Sequence, residues 1–204
     1  MEMRVYPIGG AWKRSLDCVA AFTGLLILSP IMLTTAVLIL IAMGRPIFSA
    51  QPTIGFNNSV FARLRFRTAR PVHEEPNASN PPPPATGFEL WLGQTLRDSG
   101  LDDLPQLLNI LLGHMSFVGP QPVSVRASIR GSNLKHYARA RPGLTGLRKM
   151  RPFPNAGSSR AACDCFYVRN WAPALDALIM SQTVLGSFRA GQRLQSGIRR
   201  HRSP

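Results

Sequence analysis

Acidic residues, cysteine and histidine are all scarce in this sequence. Ten Asp and Glu stand against 24 Lys and Arg in 204 residues, a net charge of +14. The excess grows along the chain, with 16 basic and 5 acidic residues from Arg97 onward and 8 and 5 before it. Such a field attracts polyanions, whether nucleic acid, anionic lipid headgroups or diphosphate substrates, and does not choose among them. Three cysteines, Cys18, Cys163 and Cys165, are too few and too oddly placed for a disulfide framework, which points to a reducing compartment. Cys163-x-Cys165 has no second Cys pair or His cluster to complete a zinc shell, so free thiols are expected. His73, His114, His136 and His201 are scattered, without the spacing of a metal-ligating pair. There is no P-loop, no dinucleotide fingerprint and no internal repeat. Two large domains are excluded by length, whereas 45% hydrophobic residues suffice for one compact domain plus an anchor.

Charge is also missing from Cys18 to Met43, CVAAFTGLLILSPIMLTTAVLILIAM. As a straight helix this run rises about 39 Å against a hydrocarbon core of about 30 Å. It far exceeds the apolar region of a signal peptide. Arg4, Lys13 and Arg14 precede it, and Arg45, Arg63, Arg65, Arg67 and Arg70 follow it. Basic residues on both sides give a spanning helix no orientation and suit a segment whose two ends stay on one side. Near the middle, Pro30 removes a backbone donor and leaves the Leu26 carbonyl without its helical partner, so a kink is expected. The Ser29 hydroxyl is placed to turn back to a carbonyl one turn earlier. Two readings stay open here: a helix that enters and bends back at Ser29-Pro30, and a kinked span.

Beyond the anchor, Val60 to Arg67 alternates so that Leu64 and Phe66 share one face of a strand and Arg63, Arg65 and Arg67 the other. A solvated edge strand accounts for that pattern equally well. Residues 71–87, PVHEEPNASNPPPPATG, read as a proline-rich linker or surface loop. A helix is expected from about Leu104, with Leu104, Leu107, Leu108, Leu111 and Leu112 as its apolar stripe and Pro105 in its first turn. Another is expected from about Pro173 to Phe188, followed by a basic, acid-free, disordered tail. Asp102 and Asp103 stand at the mouth of the first of these helices. Capping explains one carboxylate there, but neighbouring side chains diverge and do not both serve one cap. Alternatively, one attacks phosphorus while the other holds a hard cation against phosphate oxygens. Phe117-Val118-Gly119-Pro120-Gln121-Pro122 and Arg141-Pro142-Gly143-Leu144-Thr145-Gly146 read as two tight loops, either ligand-positioning or ordinary turns.

In this order the pieces resemble the bacterial sugar transferase family, the small monotopic phosphoglycosyl transferases of exopolysaccharide type. The resemblance runs through Lys13-Arg14-Ser15-Leu16-Asp17, Ser29-Pro30, Arg65-Phe66-Arg67-Thr68, Leu101-Asp102-Asp103-Leu104-Pro105-Gln106-Leu107-Leu108-Asn109, Met115 to Pro120, Arg141 to Gly146 and Tyr167-Val168-Arg169-Asn170-Trp171. It implies a small mixed, helix-rich α/β domain associated with the membrane through an N-terminal re-entrant helix hairpin. The corresponding division is residues 1–45 for the re-entrant helix, 46–188 for the catalytic domain and 189–204 for the tail. The resemblance further implies transfer of a sugar phosphate from a nucleotide diphosphate sugar to polyprenyl (undecaprenyl) phosphate at the cytoplasmic face of the inner membrane. Asp102 is the implied nucleophile, and Asp103 the partner acid and ligand of a Mg2+ cofactor. Arg65, Arg67, Gln121 and Arg141 are the implied substrate-binding residues. The implied partners are the membrane and the two substrates rather than nucleic acid, and homo-oligomerisation is left open. Three positions depart from the family pattern: Asp103 stands where the second acid is normally Glu, Gln121 where Pro-Arg-Pro has Arg, and His114 where Gly-Asp-Met-Ser has Asp. They motivate an alternative, a catalytically impaired relative that serves as membrane-bound partner or regulator of an active transferase.

Overall fold

The computed structural model describes residues 7–69, 86–125, 139–147, 160–183 and 185, and all structural statements concern these. The tail at 189–204 and most of the proline-rich stretch lie outside them. That stretch was expected to run to residue 87, but Thr86 and Gly87 already belong to a helix start.

Helix α1 (Gly10–Met43) contains the whole charge-free run and is long and apolar enough to cross a membrane, by length and composition only. Its 34 residues make a rod of about 50 Å. Asp17, Ala21, Thr35, Ile39 and Met43 are buried along one stripe at helical spacing. Val19, Phe22, Leu26, Ile27, Leu33 and Ile41 are exposed, which is unusual for an apolar surface meeting water. The helix is continuous through Pro30 and is not divided there. Ser29 Oγ donates to the Leu26 carbonyl at 2.8 Å, the acceptor that Pro30 deprives of its backbone donor.

Strands β1 (Phe48–Ile54) and β2 (Val60–Phe66) form an antiparallel hairpin paired from Phe48↔Phe66 to Ile54↔Val60. Its turn places Asn57 and Asn58 at φ 54° and 57°, a left-handed conformation that Asn accepts more readily than most residues. Helix α2 (Gly87–Ser99) starts on a cap in which Thr86 Oγ1 accepts from the Glu89 amide. It approaches the chain just past β2 closely at Gly93, where a Cβ would stand 2.0 Å from the Thr68 carbonyl oxygen. A 3-10 turn, Leu101–Asp103, then leads into α3 (Gln106–Leu112). The stripe expected from Leu104 is therefore narrower than the leucines suggested. Leu107 and Ile110 are buried while Leu108 and Leu112 are exposed, because α3 is wedged between α1 and β2 and hides only the sides facing them.

Strand β3 (Ser116–Val118) is followed by β4 (Val123–Ser124), which joins β1 to give the order β2-β1-β4. Strand β5 (Gly143–Thr145) pairs parallel with β3. Helix α4 (Arg160–Arg169) and a last helix, α5 over 173–183, complete the fold. In α5 Ile179 is buried and Leu178 is exposed. The architecture is the expected helix-rich mixture of α and β. Being at the margin of its sheet, β2 is the edge strand expected as one explanation of its arginines.

Three apolar clusters sit in a row. Ile39 and Met43 meet Phe66, Leu92 and Leu96; Ala21 meets Phe61, Leu107, Ile110 and Met115; Val118, Ala140, Leu147, Tyr167, Val168 and Ile179 form the third. Both ends of α1 are thereby tied to the globular part, and polar bonds reinforce each end. Arg14 donates to the Ile110 and Leu111 carbonyls at the end of α3, and Arg67 to those of Met43, Gly44 and Arg45 at the end of α1. These carbonyls lie at or just past the helix ends, where backbone donors run out, and a cation also suits the negative end of the helix dipole.

Candidate active site

The site begins with the open edge of β2. Asn109 of α3 accepts from the Leu64 amide at 2.9 Å and donates to the Ala62 carbonyl at 2.8 Å. One buried amide side chain thus takes the place of a neighbouring strand and sets the position of α3 against β2. The turn just before α3 is consequently held beneath Arg65. There Arg65 Nη2 meets Asp102 Oδ2 and Nε meets Asp103 Oδ1, each at 2.7 Å. Adjacent carboxylates that would repel each other are bridged by one guanidinium fork. Gln106, one turn on, donates its amide to Asp103 Oδ1.

The two acids are unlike. The Asp102 side chain is 4% exposed and that of Asp103 33%. Burial pushes the Asp102 carboxyl above the ordinary carboxylate range, and the Asp103 charge adds to this, while Arg65 opposes both. Asp102 is thus a desolvated carboxylate held by a single cation, a condition that favours reaction with an electrophile over solvation by water.

A cleft of about 430 Å³ opens beside Asp103. Arg63, Arg65 and Gln106 line one side, Gln121 and Pro122 another, and Gly143 to Gly146 a third. A second cleft of about 620 Å³ lies on the Asp102 side, lined by Ser49, Gln51, Arg65, Arg67, Thr68 and Ser124 among others. Arg65 borders both.

The two loops read from the sequence meet at this site. Ser116 pairs with Gly143 and Val118 with Thr145, and their backbones approach so closely that a Cβ on Gly119 would fall 2.3 Å from the Arg141 carbonyl oxygen. One on Gly143 would fall 2.2 Å from the Gly119 nitrogen. Glycine is required there by lack of space, and the close pairing brings Gln121 into the lining of the cleft that Asp103 borders.

Of the expected site residues, Asp102, Asp103, Arg65 and Gln121 are thus brought together. Arg67 borders the second cleft, but its buried guanidinium bonds the last carbonyls of α1. Arg141 does not line either large cleft. It borders a small recess with Lys13, Asp17, Ser116 and Tyr167. There burial, followed by the Arg14 charge, lowers its pKa, with Asp17 opposing. Asp17 accepts from the Phe117 amide at 3.2 Å and so fixes α1 to the start of the Val-Gly-Pro loop. His114, the third departure, stacks on Phe61.

Several contributors were not among the expected site residues, although Arg63 stands in the alternating strand and Gln106, Lys13 and Tyr167 in blocks that carry the resemblance. Arg63, Gln106 and Asp164 line the cleft, and Asp164 accepts from the Gln121 amide at 3.2 Å. Lys13 donates to the Val118 carbonyl at 2.8 Å, Tyr167 Oη at 2.7 Å and Asp176 Oδ2 at 2.6 Å. Tyr167 in turn donates to Asp176 Oδ1 at 2.7 Å and Trp171 to Oδ2 at 3.0 Å. Burial, with Asp176 next, raises the Tyr167 pKa, so its hydroxyl keeps its proton and remains a donor.

The chain is similar in sequence to known proteins. The family model described as "Bacterial sugar transferase" matches residues 8–190. The exopolysaccharide production protein ExoY of Sinorhizobium fredii is 36% identical over 200 residues, which cover 88% of this chain and 87% of that protein. ExoY of Rhizobium meliloti is 37% identical over the same shares. A UDP-glucose:undecaprenyl-phosphate glucose-1-phosphate transferase of Caulobacter vibrioides is 32% identical over 184 residues, covering 84% of this chain and 68% of that one. With a family match through nearly all of its length and with relatives of this identity and coverage, the chain belongs to the bacterial sugar transferase family, in its exopolysaccharide type.

Proposed function

We propose that the protein transfers a sugar phosphate from a nucleotide diphosphate sugar to undecaprenyl phosphate and so begins an exopolysaccharide or another surface glycan. The observation that carries this is the desolvated Asp102, paired through Arg65 with Asp103, the two acids bordering clefts of about 620 and 430 Å³ that share Arg65. It is supported by relatives whose names state UDP-glucose:undecaprenyl-phosphate glucose-1-phosphate transferase.

In the first step an Asp102 carboxylate oxygen attacks the sugar-linked phosphorus. The bond to the bridging diphosphate oxygen breaks, and a nucleoside monophosphate leaves with that electron pair. An oxygen of the lipid phosphate then attacks the same phosphorus, and Asp102 departs as carboxylate. Arg65 releases charge to the phosphoryl oxygens as the Asp102 carboxylate is consumed, so the fork that holds the acids in the resting site also serves the transition state.

Asp103 fits a Mg2+ cofactor. Its carboxylate borders the cleft, and Mg2+ is usually held by one or two carboxylates with the remaining positions taken by phosphate and water. When bound, the ion neutralises phosphate charge during transfer.

The anchor is proposed to be re-entrant, with both ends at the cytoplasmic face of the inner membrane and Ser29-Pro30, one backbone bond short, as the place where it bends in lipid. This reading is supported by the fastening of both ends of α1 to one globular body, through Lys13, Arg14 and Asp17 at the start and Arg67 at the finish. Single cysteines placed at positions 11 and 45, in a background lacking the natural three, are expected to react equally in inside-out vesicles with a reagent that does not cross membranes. Reaction of one end only would overturn it.

A donor panel tests the activity. Membranes containing the protein, undecaprenyl phosphate and Mg2+ are expected to release a nucleoside monophosphate from one nucleotide sugar. The competing reading, an impaired partner of an active transferase, is favoured by the neutral Gln121 in the cleft. Donor binding without release across the panel would support it, and activity restored by Gln121→Arg would identify the cause.

A further inference from the structure

The two clefts that meet at Arg65 differ in chemistry. Asp103, Asp164 and the backbone of Gly143 to Gly146 border the one of about 430 Å³. The one of about 620 Å³ is bordered by Asp102 and by the neutral polar side chains of Ser49, Gln51, Thr68 and Ser124, and its volume is that of a small-molecule site. Sheet register explains this second set. Ser49 stands opposite Arg65, Gln51 opposite Arg63, and Ser124 of β4 opposite Thr53. Because positions 49, 51 and 53 of β1 share one face and paired residues share it too, Ser49, Gln51, Ser124 and Arg65 stand together on one side of the sheet. Ser49 and Gln51 are exposed and Ser124 is half-buried, so a ligand can reach all three. The Gln51 carbonyl oxygen accepts from Arg63 Nη2 at 2.6 Å, which fixes the amide and assigns its other end as a donor.

A nucleotide sugar has an anionic half and a neutral, hydroxyl-rich half, and the phosphorus under attack joins them. In an in-line displacement by Asp102 the nucleotide leaves on the side of phosphorus away from that carboxylate, while the sugar oxygen lies off the line of attack. With Asp102 bordering one cleft and Asp103 the other, the nucleotide falls to the Asp103 side of Arg65 and the sugar to the Asp102 side.

We propose that the 620 Å³ cleft is the sugar subsite of the donor, where Ser49, Gln51 and Ser124 hydrogen-bond the ring hydroxyls. The inference rests on the proposed transferase reading and adds to it the place where the identity of the sugar is read. Once a sugar covers these side chains, one that lacks a hydroxyl or holds it on the other face of the ring leaves a polar group unpaired, and this discriminates between donors that share a nucleotide.

The test uses the full-length protein in detergent with Mg2+, with UDP-glucose, UDP-galactose and uridine diphosphate as calorimetric probes and a folding check on each variant. The double variant Ser49→Ala, Ser124→Ala is expected to weaken binding of the preferred sugar nucleotide roughly tenfold, the loss of two hydrogen bonds between neutral groups. Uridine diphosphate should bind it within twofold of the parent. Ser124→Leu, which puts a branched apolar side chain into the cleft and alters neither charge nor acid, should weaken the sugar nucleotide at least as much and again spare uridine diphosphate. In turnover, both variants should change the ratio of kcat/KM between donors that share a nucleotide and differ in sugar. Sugar-nucleotide binding within twofold of the parent in both variants, equal losses for sugar nucleotide and uridine diphosphate, or a parent that binds neither sugar nucleotide overturns the proposal. Serine-dependent binding without nucleoside monophosphate release from any donor sinks the transferase reading and leaves this one standing. Release with unchanged kcat/KM in both variants does the reverse.

Discussion

Two ionic junctions hold this molecule together, and they are built on opposite rules. At the start of α1, Lys13 uses its three donors on Val118, Tyr167 and Asp176, and Asp176 receives Lys13, Tyr167 and Trp171. Both charged side chains are less than a fifth exposed. Every polar atom has its partner, and nothing further is to be gained by binding a ligand. At the mouth of α3, one Arg65 serves two acids, Asp102 is desolvated enough that its pKa is raised, and a cleft lies on either side. A saturated junction fastens; a strained, half-open one reacts. The difference marks the second junction as the candidate site more surely than charge density does, since both junctions are rich in charge.

Asp102→Asn breaks the comparison most sharply. Turnover should fall by about 10⁴-fold or more, as when a nucleophile is removed, with release of nucleoside monophosphate as the readout. Stability should not fall with it. Because the folded-state pKa of Asp102 is raised, folding disfavours its ionised form, and a cost appears as pH rises through the ordinary carboxylate range and beyond. The Asn variant lacks this cost, so its Tm at neutral pH should equal or exceed that of the parent, the gap closing as pH falls through that range. A clear loss of Tm at neutral pH would refute the view of Asp102 as a strained group.

Lys13→Ala should do the opposite at the other junction. It leaves Asp176 buried without its cation and should cost about 3 kcal/mol in denaturant unfolding, with a smaller penalty when Asp176→Leu is added. Arg65→Gln sharpens the comparison within the site itself. It removes the cation that opposes burial, so the acid limb of the pH–rate profile, where Asp102 must lose its proton, should move to higher pH. An unmoved limb would show that Arg65 does not govern the nucleophile. The smallest effect is expected at Asn109→Ala, about 1–2 kcal/mol for two lost bonds to the edge of β2, read by thermal unfolding.

The sequence displayed the reactive junction far better than the fastening one, for a physical reason. Asp102 and Asp103 are neighbours, Arg65 belongs to an alternating strand, and the two glycine loops have local composition signals, so their chemistry is visible in short windows. Lys13 and Asp176 are 163 positions apart, and no periodicity links them. The same limit explains Asn109, which reads as one polar residue in a leucine-rich helix and is in fact the partner of β2. Arg67 shows the converse. Its place in the alternating arginines suggested phosphate, whereas the end of α1 claims its guanidinium: four residues separate Met43 from β1, and the hairpin returns the end of β2 to lie opposite Phe48, beside the helix end. The helix containing Leu108 and Leu112 was legible as apolar but not as two-faced, since a leucine facing outward and one facing inward look alike in a sequence.

The fastening of α1 also has a consequence for the order in which the protein is made. Its first turn leaves the ribosome early, whereas Tyr167 and Asp176, which complete the Lys13 junction, are among the last described residues to be synthesised. For most of translation the long apolar helix has no body to lean on, and its exposed side acquires none among the described residues. The long apolar helix is therefore made well before the residues that lock it, and the candidate site takes its final shape on a helix that has already found its surroundings.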